Sequence, residues 1–329
     1  MSCYIIKRIR ADSKWHASVK IYEAIKEKEY IFMKNDKILG PVMVCFAGIC
    51  WGVISIFING FAGFDYDSFD IMCFRAWTSA LLMLIFFLVK DRNLLKIKLR
   101  DIWMFIGTGI FSLTFFSYCY FTSIVKSGAA VAVVLLYTSP IFVMLMSAVV
   151  FKEKITLKKI IALILTFIGC VLVAGLVGTG SKLSMGALLL GLGAGFGYAL
   201  YSIFAGFAVK KYSSLTVTFY TFLFSGLTLP IFRNPVVLIS NVPLNVTPWI
   251  IGIALVCTVI PYLSYTWGLG KMEAGKAAVL VTVEPLIGAL IGIILYHEDA
   301  NFFKILGIIL IFSAVILLSF SPSNSAKKG

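Results

Sequence analysis

Charge is what this chain lacks most. Only 13% of its 329 residues are Asp, Glu, Lys or Arg, about half the share of an ordinary soluble domain, so a solvated surface of normal size is excluded. Histidine is nearly absent: His16 and His297 are the only two, too few ligands for a zinc site. The seven cysteines (3, 45, 50, 73, 119, 170 and 257) contain no CxxC pair and fall mostly inside apolar runs. Six read as small core residues, and neither a disulfide nor a metal is expected. No GxxxxGK[ST] phosphate loop occurs, which removes ATP drive from within the chain. No HExxH helix, paired aspartates or Ser/His arrangement lies within the apolar runs, so no enzyme and no cofactor is expected.

What the chain has is apolar length. Hydrophobic residues make up 60% of it, in continuous runs rich in Leu, Ile, Phe, Gly and Ala. Membrane β-strands alternate polar and apolar residues over roughly ten positions. These runs do not, which leaves helices, the other structure that pairs its own backbone in lipid. At about 20 apolar residues per crossing, the runs predict ten spans near 38–59, 69–89, 102–123, 129–151, 158–177, 185–208, 214–232, 248–269, 277–296 and 302–320. Connections are too short to hold a soluble domain. The expected fold class is an all-α polytopic membrane protein.

Lys and Arg give the orientation. Nine precede residue 38, five lie in 90–100 and four in 152–159; Lys210 and Lys211, Lys271 and Lys276, and Lys327 and Lys328 add two each. These 24 fall on one side of a ten-span arrangement. Lys126, Lys182, Arg233 and Lys304 fall on the other, and Arg75 lies inside a span. The positive-inside rule places both termini in the cytoplasm. The net charge of +14 is then topology, and no nucleic-acid partner is expected. Residues 1–37 form a cytoplasmic tail in which IYEAIKEKEYIF resembles an amphipathic helix for the inner membrane face. The plainer reading, preferred here, is an upstream start codon, with Met33 opening the working protein.

The chain repeats itself. AGICWGVISIF (47–57) resembles AGFGYALYSIF (194–204), and SYCYFTSIVKSG (117–128) resembles SYTWGLGKMEAG (264–275). Pro140, Glu153 and Lys159 match Pro285, Glu298 and Lys304. Each copy, 38–177 and 185–320, holds five spans. Five is odd, so the second copy enters the membrane from the opposite face, an inverted repeat of the kind secondary transporters use for alternating access.

Ten spans in two inverted halves, Arg75 in FRAW on the second span and the pair Glu284-Pro285 together resemble the drug/metabolite transporter superfamily, EamA type. Glu153 in VVFKEKIT and Glu298 in ILYHEDAN match that family's glutamate after the fourth and ninth spans, though the family usually shows Gly-Glu where this chain has Lys-Glu and His-Glu. The resemblance covers 38–320 and implies a carrier in the bacterial plasma membrane. Its substrates across the superfamily include amino acids, drugs, sugars and other metabolites.

The candidate site follows from cost. Glu284 lies roughly 12 Å into the membrane, counting 1.5 Å per residue from Lys276, where a charge costs at least ~2.5 kcal/mol and must face protein or a wet cavity. Low polarity disfavours the charged form of a carboxyl, so such a group can exchange a proton or receive an ammonium. A protonated glutamate held between helices is the bland alternative. Pro285 lacks an N–H and is expected to leave a carbonyl near Val281 unpaired; Pro140 breaks the fourth span in the same way. Arg75, roughly 10 Å from the outer face, either binds an anionic group, with Glu284 within reach of its long side chain, or snorkels toward Asp67 or Asp70. Trp51, Tyr118, Tyr198 and Tyr265 recur at repeat-related positions; facing inward they would line an apolar pocket able to take an ammonium group. For any single one an interfacial belt or plain packing is the preferred reading, with Trp51 and Tyr265 the best candidates for the pocket. The glycine pairs 48/52, 191/195 and 288/292 fit close helix packing.

The function expected is secondary active transport of a small organic metabolite such as an amino acid, by an exporter or proton-coupled exchanger. Its partners are that substrate, protons and the bilayer. An uncoupled facilitator or channel, or a carrier of drugs or sugar-like metabolites, stays open beside it, as does the oligomeric state.

Overall fold

A pairing rule governs the fold: with little water available, each backbone N–H and C=O must find a partner within the chain. The computed structural model describes residues 38–175, 184–240 and 242–319. The tail 1–37, with its amphipathic segment and Met33, lies outside the described residues, as do Lys182, Lys327 and Lys328. The chain divides into Met1–Leu39, of which only Ile38 and Leu39 are described, and Gly40–Gly329, which holds nearly all the structure.

No strand occurs among the described residues. The helices are α1 (Ile38–Asn59), α2 (Ser68–Lys90), α3 (Leu99–Ser127), α4 (Ala129–Val150), α5 (Leu157–Val173), α6 (Met185–Ala208), α7 (Ser214–Ile231), α8 (Thr247–Leu269), α9 (Ala274–Leu295) and α10 (Phe302–Ser319). Nine of these, all but α5, are long and apolar enough to cross a membrane. At 17 residues, α5 is about 25 Å long. Apolar side chains such as Leu81, Ile85, Val149, Ile164 and Phe312 point away from the protein, which suits lipid.

Polar side chains serve the helix ends. Asp67 Oδ1 accepts from the amides of Phe69 and Asp70 at 2.8 and 2.9 Å, and Asp70 Oδ2 accepts from Asp67 N at 3.0 Å, a closed capping box. Arg233 pairs with both carboxylates, 2.8 Å from Asp70 and in direct contact with Asp67. Burial works against the charged form of Arg233, but its bond to Asp70 and the two negative charges hold its pKa above the ordinary value.

Two spans are interrupted. α4 runs Ala129–Leu136, turns, and resumes as Ser139–Val150; α9 runs Ala274–Leu280, turns, and resumes as Val283–Leu295. Pro140 and Pro285 sit in the first turn of the resumed segments, where a missing N–H costs little. The carbonyl expected to be free near Val281 is not. Glu284 N donates to Val281 O at 3.1 Å, a tighter i→i+3 closure that takes the place of the bond Pro285 cannot make.

Glycines bring α1 and α6 onto these turns. A Cβ on Gly48 would lie 2.6 Å from Val281 O, and one on Gly52 would lie 2.8 Å from Glu284 O. A Cβ on Gly195, which matches Gly48, would lie 2.4 Å from Thr138 Oγ1 and 3.0 Å from Leu135 O. α5 and α10 meet through Gly169 and Gly307, each with its Cβ position under 3 Å from the other's carbonyl oxygen (2.8 and 2.7 Å). Two π-helical stretches were not visible in the sequence: Gly107–Thr114 in α3 and Leu255–Val259 in α8. Such stretches shift the hydrogen-bond register and leave carbonyls needing other partners. Thr114 Oγ1 donates to Gly109 O at 3.1 Å and Thr258 Oγ1 to Ile253 O at 2.8 Å.

Overpacking of this kind costs roughly 1–3 kcal/mol. Gly48→Ala and Gly195→Ala are therefore expected to lower the thermal unfolding temperature in detergent. Gly186→Ala, whose Cβ would find its nearest neighbour at 3.9 Å, is expected to leave it unchanged or raise it. Equal temperatures for all three would overturn the close-approach account.

Candidate functional site

Helices α1, α3, α6 and α8 enclose a small recess. Its walls are Trp51; Ser112, Leu113 and Phe116; Tyr198, Tyr201 and Ser202; and Tyr262 and Tyr265. Helical spacing presents each group together: i, i+3 and i+4 on α6, and i and i+3 on α8. Trp51 is the hub, with ring centroids 5.1 Å from Tyr262, 5.8 Å from Tyr265 and 6.5 Å from Tyr198. Tyr262 also meets Tyr201 edge-on at 5.1 Å, and Phe116 meets Tyr198 at 5.5 Å. Two hydroxyl pairs cross from α6 to α8: Ser202 Oγ with Tyr265 OH at 2.7 Å, and Tyr201 OH with Thr266 Oγ1 at 2.6 Å. The free space holds about one water molecule, so an organic solute enters only if the helices move.

Glu284 stands beside this recess, in the first turn after the break in α9. Its backbone lies against α1 beside Trp51, where a Cβ on Gly52 would come 2.8 Å from Glu284 O. Its carboxyl is close enough to Tyr198, Tyr262, Tyr120, Tyr137 and Arg75 for their charges to be felt. Among the described residues no side-chain hydrogen bond or ion pair holds it. A half-buried carboxyl with no hydrogen-bond or ion-pair partner is free to receive a proton or a cation.

Trp51, Tyr198 and Tyr265 line the recess together; Glu284, Tyr118 and Arg75 are not in its lining. Tyr118 is 44% exposed and packs on Phe69 and Phe232. It lies two positions from Phe116, about 200° around the helix, and so faces away from the recess. Arg75 does not snorkel to Asp67 and Asp70, which Arg233 occupies; its charge is felt at Glu284. It instead binds the π-helical stretch of α8, with Nε donating to Thr258 Oγ1 at 3.0 Å and Nη2 to Cys257 O at 3.2 Å. Ser112, Leu113, Phe116, Tyr201 and Ser202 were missed in the sequence; their spacing from Tyr198 and within α3 was the available signal.

Comparison with known proteins agrees with this architecture. The chain matches the EamA-like transporter family twice, over residues 38–175 and 185–320. It is 27% identical over 284 residues to an uncharacterized transporter of Archaeoglobus fulgidus, covering 84% of this chain and 95% of that one. It is 24% identical over 253 residues to the uncharacterized transporter YyaM of Bacillus subtilis, covering 74% and 82%. A crystal structure shares its fold with a TM-score of 0.71 at 13% identity, over 84% of this chain and 95% of that one.

Arg75 offers a clear test. A lysine cannot reproduce two fork-directed bonds, so Arg75→Lys is expected to destabilise the folded protein by about 1.5–3 kcal/mol, read as a lower unfolding temperature in detergent. Unchanged stability together with weakened solute binding would return Arg75 to the ligand site.

Proposed function

We propose that this chain, which belongs to the EamA-like transporter family, is a secondary active transporter that moves a small organic metabolite bearing an amine, such as an amino acid, in exchange for protons. The observation that carries this reading is the unpartnered carboxyl of Glu284 beside a ring of aromatic faces. An ammonium group suits both, by charge and by cation–π attraction. A proton suits the carboxyl alone. Solute and proton then compete for one acid, and their movements are coupled when the empty carboxylate, a bare buried charge, does not let the carrier reorient.

The architecture we infer has ten spans, with α5 as the fifth, arranged as two inverted halves with both termini in the cytoplasm of a bacterial cell. Supporting the repeat are the paired breaks in α4 and α9, the glycines Gly48 and Gly195 that meet them, and a π-helical stretch in each half. Supporting the orientation is the excess of Lys and Arg on one side. A recess with almost no free volume fits a carrier that encloses its solute, and not an open channel.

Proton flux into proteoliposomes, followed with a trapped pH dye, tests the reading. Wild type and Glu284→Gln are challenged with a panel of amino acids and small amines. A few compounds are expected to trigger flux in wild type, and the variant is expected to fall to background. Equal flux in both would remove Glu284 from coupling.

A further inference from the structure

The links after α4 and α9 are built alike. In each, a non-glycine residue takes a left-handed backbone, Lys152 (φ 56°) and His297 (φ 53°). The next amide then reaches back six positions, Glu153 N to Ser147 O at 3.3 Å and Glu298 N to Gly292 O at 3.0 Å. A lysine on the following helix faces each glutamate, with Lys159 Nζ 3.7 Å from Glu153 and Lys304 Nζ 2.9 Å from Glu298. Left-handed Lys and His are uncommon, so their recurrence at matched positions marks one geometry used twice.

What the two glutamates reach is not alike. Glu153 caps the start of α9: Oε1 accepts from Ala274 N at 2.7 Å and Oε2 from Gly275 N at 3.1 Å. Lys159, 5% exposed, ties this cap to Glu273 at 2.9 Å. A Cβ on Gly275 would lie 3.4 Å from Glu153 Oε2. The α4–α5 link and the α8–α9 link are thereby fastened together and closed.

The matching amides on the other side, 147 residues earlier, are those of Ser127 and Gly128. Glu298 does not bond them. Its carboxyl is 54% exposed and lies folded against Gly292, where a Cβ would come within 2.7 Å. Gly128 N donates to Ile124 O at 2.8 Å, and no atom lies within 4 Å of its Cβ position. The reason is helical length. α3 continues to Ser127, whereas α8 ends at Leu269, the counterpart of Thr122. The residues that form the free turn before α9 are still wound into α3 on the opposite side.

Building on the carrier reading above, we propose that Glu153 and Glu298 are alternating latches. Glu153 seals its face in the conformation described. In the opposite conformation the last turn of α3 unwinds, and Glu298 caps the amides of Ser127 and Gly128 as Glu153 releases those of Ala274 and Gly275. Each latch exchanges helical backbone bonds for charge-assisted ones to a carboxylate, which are roughly twice as strong as neutral bonds. Two states of comparable energy follow, as a reversible switch requires.

Spin-label distances on the full chain test this, with one pair at Lys154 and Lys271 on the Glu153 face and another at Val125 and Asp299 on the Glu298 face. Glu153→Gln is expected to lengthen the first distance and shorten the second, moving the ratio of the two populations by at least about tenfold. Glu298→Gln is expected to hold the distances of the present conformation and to abolish counterflow. Should Glu153→Gln fold poorly, Ala274→Pro removes one capped N–H at a first-turn position where proline is tolerated, and it is expected to shift the distances the same way. No shift in any variant, or shifts in the same direction for both glutamates, would overturn the latches. Wild-type counterflow judges the carrier reading separately, because the distances report on the latches whether or not solute moves.

Discussion

Pairing of backbone groups without water is the constraint on which the rest of this structure depends. An unbroken apolar helix meets it automatically and does nothing else. Function becomes possible where the rule is strained, at the turns in α4 and α9 and the π-helical stretches in α3 and α8, and at each of these a specific group restores the balance. The amide of Glu284 takes the carbonyl that Pro285 cannot serve, Thr114 and Thr258 bond back five residues, and Arg75 takes the carbonyl of Cys257. Glycines on α1 and α6 then let whole helices lie against the interrupted backbone. The recess and its carboxyl sit where these irregularities converge.

Much of this was legible in the sequence, for physical reasons. Continuous apolar runs allow little but helices, and the observed ends lie within four residues of the expected ones; the largest differences are at the end of α3, which runs four residues longer, and of α5, which stops four residues sooner. Prolines inside runs announced the breaks, and repeat-related aromatics announced Trp51, Tyr198 and Tyr265. The failures are equally specific. Tyr118 was chosen by its repeat position, whereas side-chain direction is set by angle around the helix, and Phe116 two residues away holds the inward place. For Arg75, a π-helical stretch has no sequence signature, so the carbonyl of Cys257 that it binds could not be foreseen.

The same economy of parts runs through the two faces. Lys152 with Glu153 and His297 with Glu298 are the same turn built twice, yet one glutamate is fastened to a helix start and the other is exposed. An architecture made of matched halves does not have to be symmetric at any instant. Its asymmetry is stored in a few backbone turns, wound on one side and unwound on the other, while the packed glycine contacts of α5 with α10 have no such difference to store.

Duplication also left one difference that no movement can exchange. The position matching Glu284 in the first half is Ser139, buried at the same break in α4. Serine does not titrate in the range a cell experiences, so the two breaks differ in kind: the one in α9 carries an acid and the one in α4 a neutral hydroxyl. In the exchange proposed above, Glu284 holds one proton at most. On that proposal each cycle draws on one proton at Glu284, and the steepest solute gradient is the one a single proton can balance.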